Sequence, residues 1–145
     1  ISIINKAKTI DLWFKKKFKR KPKIGILGLN PHNAEFKKKS EEMRTIVPSI
    51  IKLKKLGLKV KGPLVSDTIF INDYKNYDVI IGMFHDQVLA PFKALFKFDA
   101  INITLGLKYL RISPDHGTAS DLIGKNKADP TSLLKCINYI GKYKE

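Results

Sequence analysis

Residues 23–33 read KIGILGLNPHN, and this stretch decides the fold that the sequence predicts. The segment 23–29 is short and nearly continuously apolar, which is typical of a central strand covered on both faces of a parallel sheet. The run stops at the turn Asn30-Pro31, and His32 follows directly. Because ligands of open α/β sheets gather outside the carboxyl ends of the strands, His32 is well placed for chemistry. A single loop histidine is nevertheless most often an ordinary surface residue.

A second stretch, residues 78–83, repeats this arrangement. Its apolar run predicts a buried strand, and His85 follows just past its end. Imidazoles at equivalent strand ends are common ligands of divalent transition metals, although two ligands do not complete a site. The alternative is two unrelated histidines exposed to solvent. The neighbouring Asp86 has three candidate roles: a metal ligand, a partner that fixes the imidazole tautomer, or a base.

Other segments complete an α/β pattern. Residues 100–105 predict a third strand of one parallel or mixed sheet, residues 107–112 a fourth element, and Gly62-Pro63 a turn. Apolar residues at helical spacing predict helices near 4–18, from Ser40 with a kink or later start at Pro48, over 87–98, and after Asp129-Pro130. The last of these is predicted to bury an apolar face formed by Leu133, Leu134, Ile137 and Ile140.

Three polar residues stand out in apolar surroundings after the second histidine. Lys93 lies on a predicted helix, Asn102 on the third strand and Arg111 near the end of the fourth element. A buried charge is costly unless it is paired, so the two cations are expected to meet an anion, such as the phosphate of a substrate. The alternative is a structural ion pair with Asp99 or Asp115.

The loop at 115–121 is rich in small and polar residues, which allow a ligand to approach the backbone closely. It does not match the G-x-G-x-x-G fingerprint of dinucleotide-binding domains. The segment 25–28 does not match it either, because it lies within a predicted strand and lacks the third glycine.

The composition limits the classes of function. A length of 145 residues fits one compact domain with a real core. The net charge of +15 comes mainly from lysine, and no nucleic-acid recognition motif accompanies it, so we interpret it as a solvated lysine-rich face. Weak, salt-sensitive binding of polyanions is the alternative. No apolar run approaches the roughly 20 residues of a membrane span, and the single Cys136 fits a reducing compartment, which favours the cytoplasm.

Four motifs, in order, carry a resemblance to a known family. They are Gly28-Leu29-Asn30-Pro31-His32, Phe84-His85-Asp86-Gln87, Asn102-Ile103-Thr104-Leu105-Gly106-Leu107 and Asp115-His116-Gly117-Thr118-Ala119. Together they closely resemble the 4-hydroxythreonine-4-phosphate dehydrogenase family. The continuation of the last motif to Asn126 is also similar to the cofactor loop of the isocitrate and isopropylmalate dehydrogenases. The resemblance implies their three-layer α/β sandwich, with residues 1–145 as a single partial domain from the C-terminal part of a longer dehydrogenase.

The resemblance also implies a reaction. Members of the family oxidise 4-phosphooxy-L-threonine with NAD or NADP and a bound divalent metal, for which zinc, magnesium and cobalt are the candidates. The 3-oxo acid then loses carbon dioxide to give 3-amino-2-oxopropyl phosphate, on the route to pyridoxal phosphate. The alternatives are a related metal-dependent dehydrogenase for another phosphorylated hydroxy acid and a non-catalytic basic binding protein.

Roles for single residues follow from the matched motifs. The resemblance implies metal binding by His32 and His85, and it places the family's third metal histidine and a His-Thr substrate pair in the N-terminal half. The remaining matches are substrate-binding Lys93, Asn102 and Arg111, and the cofactor loop of His116, Gly117, Thr118 and Ala119. Asp86 is our candidate for proton handling, and the family's active site draws on both subunits of a homodimer. One loop departs from the family pattern, because residues 33–40, NAEFKKKS, replace its glycine-rich segment.

Overall fold

The computed structural model describes residues 2–142 of the chain. The helices are α1 Ser2–Phe18, α2 Val47–Lys55, α3 His85–Phe96 and α4 Thr131–Gly141. The strands are β1 Lys23–Leu27, β2 Lys59–Leu64, β3 Val79–Ile81, β4 Ile101–Thr104 and β5 Arg111–Pro114. These elements form two compact units, Ile1–Pro91 and Phe92–Glu145, which we call the first and second unit. The interpretation of residues 1–145 as a single partial domain of a longer dehydrogenase stays a prediction.

The first unit is built on a parallel sheet with strand order β2-β1-β3. The predicted central strand is confirmed, because β1 lies between the other two and four of its five residues are buried. Ile24 and Ile26 of β1 pack in one hydrophobic cluster with Ala7 from α1 and with Ile50 and Leu53 from α2. The two helices therefore supply the apolar cover of the sheet, and β1 carries the start of the candidate site at its carboxyl end.

The strand β2 was missed by the sequence reasoning, which assigned only a turn to this region. Val60 is buried between the exposed Lys59 and Lys61, so the strand alternates instead of showing a continuous apolar run. Gly62 and Pro63 also lie inside it, although both residue types are typical of turns. The mixed signal is what an edge strand with one solvated face produces.

The helix predicted from Ser40 starts as expected and then changes its winding. The Ser40 hydroxyl accepts a hydrogen bond from the Met43 amide at 3.3 Å, which is a helix cap. One wide turn follows at Glu42–Ile46, and the regular helix α2 begins at Val47 with Pro48 in its first turn. The disturbance expected at Pro48 is thus a wide turn directly before it, because proline lacks the N–H group that continues the regular hydrogen-bond ladder.

The second unit contains the antiparallel pair β4–β5. The predicted third strand does form, but the expectation that it joins the sheet of the two histidine-bearing strands is wrong. Its register pairs Asn102 with Ser113 and Thr104 with Arg111 across the hairpin. Beneath the hairpin, Ser132 of α4 donates to the Ala100 carbonyl at 2.6 Å and accepts from the Asp115 amide at 2.7 Å.

The prediction of which face of α4 is buried is also wrong. The buried residues of this helix are the small Ser132 and Cys136, which face the hairpin side. The apolar residues expected to be buried are about half exposed: Leu133, Leu134, Ile137 and Ile140. Periodicity identified an amphipathic helix correctly, but it could not tell which face this part of the chain covers. Among residues 2–142, no helix is long and apolar enough to cross a membrane.

Asp78 fixes the beginning of β3, and it gives a prediction for the pH dependence of stability. Its carboxylate accepts two hydrogen bonds from Arg20, at 2.7 and 2.8 Å, and one from the Lys23 amide at 2.8 Å. The Arg20 and Lys23 contacts lower the pKa of Asp78 from 3.8 to about 2. Because the folded-state pKa is the lower one, the stabilisation is complete above the unfolded-state pKa and is lost as the pH falls towards 2.

We expect Asp78→Asn to lower the free energy of unfolding by about 1–2 kcal/mol at neutral pH, a value discounted because Arg20 is more than half exposed. The deficit should shrink between about pH 4 and pH 2, as measured by urea unfolding. Glu35→Gln is the matched control, since its pair with Lys37 is fully at the surface and should contribute little. A constant deficit across this pH range would contradict the assignment.

Candidate active-site residues

His32 and His85 both follow the carboxyl edge of the parallel sheet. The strand β1 ends at Leu27 and β3 ends at Ile81, and the two strands run parallel with Ile26 beside Ile81. His32 lies in the turn after β1, and His85 is the first residue of α3. Both imidazoles are largely exposed. The predicted placement at one edge of the sheet is confirmed, whereas their role in metal binding stays a prediction.

Each imidazole is held by a carboxylate through one ring nitrogen. The Nε2 atom of His32 lies 2.7 Å from Oδ2 of Asp67, and Nδ1 of His85 lies 2.7 Å from Oδ1 of Asp86. Of the three candidate roles of Asp86, this contact supports the one that fixes the tautomer and orientation of an imidazole. The opposite ring nitrogen of each histidine remains available to a ligand.

Asp67 was missed by the sequence reasoning. It lies just past the end of β2, so it reaches the same edge of the sheet as the two histidines. The signal was present in principle, because recognising β2 as a parallel strand would have placed Asp67 beside His32. Because β2 was not recognised from the sequence, Asp67 was not recognised either.

The donor set fits a divalent metal only in part. Neutral imidazoles backed by carboxylates are typical ligands of zinc and similar ions. Among residues 2–142, however, no group of three His, Cys, Asp or Glu side chains comes together closely enough to hold an ion. His32 and His85 could therefore supply two ligands, and the coordination shell requires at least one more from outside this part of the chain.

The turn that carries His32 is fixed by a buried carboxylate. Glu42 has no exposed surface, and its Oε1 atom accepts hydrogen bonds from the Leu29 and Asn30 amides at 3.0 and 2.8 Å. The Asn30 side chain also donates to both carboxylate oxygens. Burial raises the pKa of the Glu42 carboxyl, but the hydrogen bonds from Asn30 and Leu29 outweigh it, so the pKa lies below its usual value. The charged form is therefore the one that anchors the turn.

The segment after His32 has an unusual backbone. Residues Asn33–Phe36 all have positive φ values, between 47° and 56°, although none of them is glycine. Each such residue costs roughly 1–2 kcal/mol in this left-handed region. Asn33 is fully buried, its Nδ2 atom donates to the Pro63 carbonyl at 3.2 Å, and a Cβ atom on Gly28 would collide with its Oδ1 atom. The Nδ2 contact holds the start of the segment, whereas the buried Oδ1 atom has no hydrogen-bond partner among the described residues.

The strain predicts that glycine stabilises this segment. We expect Ala34→Gly, at φ 47°, to raise the free energy of unfolding by about 0.5–1 kcal/mol, because relief of the steric strain exceeds the added entropy of the unfolded chain. Ala90→Gly, at an exposed position within α3, is the matched control and should lower it by about 1 kcal/mol. Chemical denaturation measures both. Destabilisation by both substitutions to the same extent would show that Ala34 is not strained.

Lys93 and Arg111, the two predicted anion-binding cations of the second unit, have different surroundings. The Nζ atom of Lys93 lies 3.0 Å from Oδ2 of Asp115 and also contacts the Asp115 carbonyl. Asp99, the other carboxylate considered for the cations, pairs with Lys135. For Lys93 the ion-pair alternative is thus present in the structure, and any anion bound there shares the lysine with Asp115.

Arg111 is exposed, and its guanidinium donates to the Thr104 hydroxyl at 2.8 Å. Within the described residues, no carboxylate lies within ion-pair distance of it. The hairpin register places Asn102, Thr104, Arg111 and Ser113 on one face, because side chains alternate along each strand. Arg111 and Asn102 therefore share a polar surface with an unneutralised cation, which is the arrangement that an anionic ligand requires.

The predicted cofactor loop is open to solvent. Residues 116–119 are exposed, and a Cβ atom on Gly117 would meet nothing within 4 Å. The Nδ1 atom of His116 contacts the Gly117 carbonyl at 2.9 Å, and Ala119 has a positive φ of 46°. A ligand can therefore reach the backbone of this loop, and its role in cofactor binding stays a prediction.

Comparison with known proteins identifies the family. The family model of the pyridoxal phosphate biosynthetic protein PdxA matches residues 2–140. A protein of Sulfurihydrogenibium sp. named 4-hydroxythreonine-4-phosphate dehydrogenase is 47% identical over 137 residues, which cover 93% of this chain and 42% of that protein. One from Oceanobacillus iheyensis, provisionally named D-threonate 4-phosphate dehydrogenase, is 40% identical over 122 residues, which cover 82% of this chain and 37% of that protein.

A solved structure gives the same result. The crystal structure of 4-hydroxythreonine-4-phosphate dehydrogenase from Klebsiella pneumoniae matches with a TM-score of 0.75 and 34% identity, over 91% of this chain and 40% of that one. The chain thus spans about two fifths of the length of the relatives that it matches. With the parallel sheet and both histidine segments inside the matched region, the chain belongs to the PdxA family of pyridoxal phosphate biosynthetic proteins.

Proposed function

We propose that this chain supplies part of the active site of a 4-hydroxythreonine-4-phosphate dehydrogenase. In this proposal the enzyme oxidises 4-phosphooxy-L-threonine with NAD or NADP and a divalent metal, as a step in pyridoxal phosphate biosynthesis. The observation that carries the proposal is the pair of carboxylate-backed imidazoles, His32 with Asp67 and His85 with Asp86, at one edge of the sheet in a member of this family. A cytoplasmic location is part of the same proposal.

The metal would be held by His32 and His85 together with at least one ligand from outside the described residues. When bound, such an ion supplies positive charge that lowers the pKa of a substrate hydroxyl and polarises the carbonyl formed from it. Asp67 and Asp86 keep the two imidazoles in fixed tautomers, so that each ring presents one defined nitrogen. Asp86, beside His85 and fully open to solvent, is also our candidate proton acceptor.

The substrate's anionic groups are assigned to the second unit. Arg111 presents a planar fork that suits a phosphate or carboxylate, and Thr104 holds one of its nitrogens in place. Asn102, on the same face, can orient a polar group of the substrate. Lys93 contributes positive charge although it is shared with Asp115. The exposed loop 116–119 is assigned to the nicotinamide cofactor, which performs the redox step.

The proposed reaction balances as follows. The carbinol carbon gives a hydride to the nicotinamide, and its hydroxyl gives a proton to a base, for which we assign Asp86. The resulting 3-oxo acid breaks its carbon–carbon bond to the carboxylate and releases carbon dioxide. The electron pair left on carbon then takes up a proton, which yields 3-amino-2-oxopropyl phosphate. Within this sequence the residues of this chain bind, orient and move a proton.

The proposal includes the architecture of the complete enzyme. We infer that the sheet of the first unit belongs to a three-layer sandwich of the isocitrate and isopropylmalate dehydrogenase type, and that two copies form a homodimer with a shared active site. The half-exposed apolar residues of α4 support an assembly, because a contiguous apolar face on an isolated helix is usually covered by another surface. A molar mass in solution that corresponds to the monomer at micromolar concentration would count against the dimer.

The second candidate is a dehydrogenase of the same type for another phosphorylated hydroxy acid. It is favoured by the similarity to the Oceanobacillus protein, whose name refers to D-threonate 4-phosphate. The two substrates differ at the carbon that carries an amino or a hydroxyl group, and the residues assigned here contact groups that both substrates possess. The choice between them therefore rests with residues of this chain other than those assigned here, and a chimera that contains the whole chain includes them.

A chimera separates the two candidates. This chain would replace the 137 matched residues of the Sulfurihydrogenibium relative, which supplies the remaining part of the fold. We expect a higher kcat/KM for 4-phosphooxy-L-threonine than for D-threonate 4-phosphate, measured as NAD(P)H formation, with the parent relative as the control. The reverse preference in the chimera, with the parent unchanged, would assign this chain to the second candidate.

A further inference from the structure

The two histidine-bearing segments are joined by one side chain, Gln87. Its Nε2 atom donates to the Gly28 carbonyl at 2.7 Å, at the start of the turn that leads to His32. Its Oε1 atom accepts from the Met83 amide at 2.7 Å, in the loop that leads to His85. One carboxamide therefore ties both chain segments together at the edge of the sheet.

The position of this carboxamide follows from the strand register. In the β1–β3 ladder, Ile24 pairs with Val79 and Ile26 with Ile81, an offset of 55 residues. Continued by two residues, the same offset sets Gly28 opposite Met83, the two residues that Gln87 bridges. Backbone pairing stops there, and the amide of Gln87, with one donor and one acceptor, replaces a peptide unit between the separated strands.

The residues around Gln87 accommodate its side chain at the edge of the sheet. The Gly28 amide already donates to the Leu64 carbonyl of β2, so both polar groups of this residue are engaged. A Cβ atom on Gly82 would come within 2.7 Å of Val88 and 3.3 Å of the Gln87 oxygen. The absence of a side chain at Gly82 thus leaves the room in which the first turn of α3 packs against the strand end.

We propose that Gln87 is a positioning residue that sets the spacing between the His32 turn and the His85 helix. It acts by fixing the separation of the strand ends from which the two imidazoles project, so that both can serve one metal ion. This inference rests on the metal role given to the histidines under the proposed function. Its structural part, the coupling of His32 to His85 through Gln87, is independent of any metal.

The first test uses the 145-residue chain without metal. The chain has three histidines, and His116, in the second unit, is an internal reference. We expect Gln87→Met, which has a similar shape but no amide, to shift the NMR ring signals of both His32 and His85 and to leave His116 unchanged. A shift of His85 alone, its neighbour in sequence, would overturn the proposal.

The second test titrates the chimera, in which the relative supplies the remaining part of the coordination shell, with cobalt(II) in a calorimeter. We expect Gln87→Met to weaken cobalt affinity about tenfold or more, the usual cost of losing a residue that orients metal ligands. Ser132→Ala is the control, because Ser132 also bridges two backbone groups through its side chain but lies in the second unit; it should lower thermal stability and leave cobalt affinity unchanged. Equal cobalt affinity in the unaltered chimera and in its Gln87→Met variant would overturn the metal part of the inference.

The outcomes separate this inference from the proposed function. If the unaltered chimera binds no cobalt but both histidine signals of the 145-residue chain still move, the metal assignment fails and the coupling stands. If Gln87→Met does not fold, the side-chain amide of Gln87 in the unaltered chain decides the matter. We then expect slow hydrogen exchange of the Nε2 protons of Gln87. Exchange at the rate of a free side chain would overturn the proposal.

Discussion

We expect His85→Ala in the chimera to lose its metal on gel filtration and to lose turnover to the background rate. The reason is coordination: two histidines of this chain leave the shell open, so removal of one leaves too few ligands to retain an ion. Because even the loss of an orienting partner costs ten- to a hundredfold in metal affinity, the loss of a ligand should cost more than about a hundredfold. Metal content by elemental analysis and NAD(P)H formation measure the two effects.

His116→Ala is the control for this substitution. It removes the same side chain from the exposed loop assigned to the cofactor, so it should keep the metal and raise the KM for NAD or NADP. Asp86→Asn provides a graded case, because an amide can still contact the His85 ring but cannot take up a proton. Near-normal metal content and turnover in His85→Ala would exclude His85 as a ligand.

We expect Arg111→Ala to weaken binding of the phosphorylated substrate by about ten- to a hundredfold, or roughly 1.5–3 kcal/mol, the range for one charge-assisted contact. The side chain is exposed, pairs with no carboxylate among residues 2–142 and donates a hydrogen bond to the neutral Thr104. Its removal should therefore leave the fold intact. Arg111→Lys keeps the charge but loses the planar fork, so it measures the share of the effect that depends on geometry.

The substrate analogue 4-hydroxy-L-threonine, which lacks the phosphate, identifies the anion. If Arg111 binds the phosphate, Arg111→Ala should affect the phosphorylated substrate only; an equal effect on both would assign Arg111 to the carboxylate. Lys108→Ala, an exposed cation on the same hairpin connection, is the matched control and should change neither KM. Unchanged KM and kcat in Arg111→Ala would remove Arg111 from the substrate site.

The sequence predicted those parts of the fold whose pattern is local and strong. The apolar run of β1, the second run at β3 and the histidine after each were sufficient to place both imidazoles at one edge of a parallel sheet. The strand β2 could not be recognised in the same way, because Lys59 and Lys61 alternate with Val60 and a Gly-Pro pair lies inside the strand. Asp67 was lost together with that strand.

Two further differences have a common cause, namely that a sequence pattern does not show what covers a surface. The apolar stripe of α4 was assigned to the core, yet Ser132 and Cys136 occupy the buried side. Glu42, at the start of the helix predicted from Ser40, was not singled out as a site residue, although it falls on the stripe of Ile46, Ile50 and Leu53 and turns inwards to hold the His32 turn. The position of this charged residue on an apolar stripe was the sequence signal that could have indicated its burial.

The most direct measurement is NAD(P)H formation by the chimera with 4-phosphooxy-L-threonine, before and after treatment with a chelator. We predict that the chimera reduces the cofactor, that chelation stops the reaction, and that restoring a divalent metal returns it, in parallel with the parent relative. A folded chimera that forms no NAD(P)H in the presence of metal, cofactor and substrate, while the parent enzyme does so, would contradict the assignment of this chain to the dehydrogenase active site.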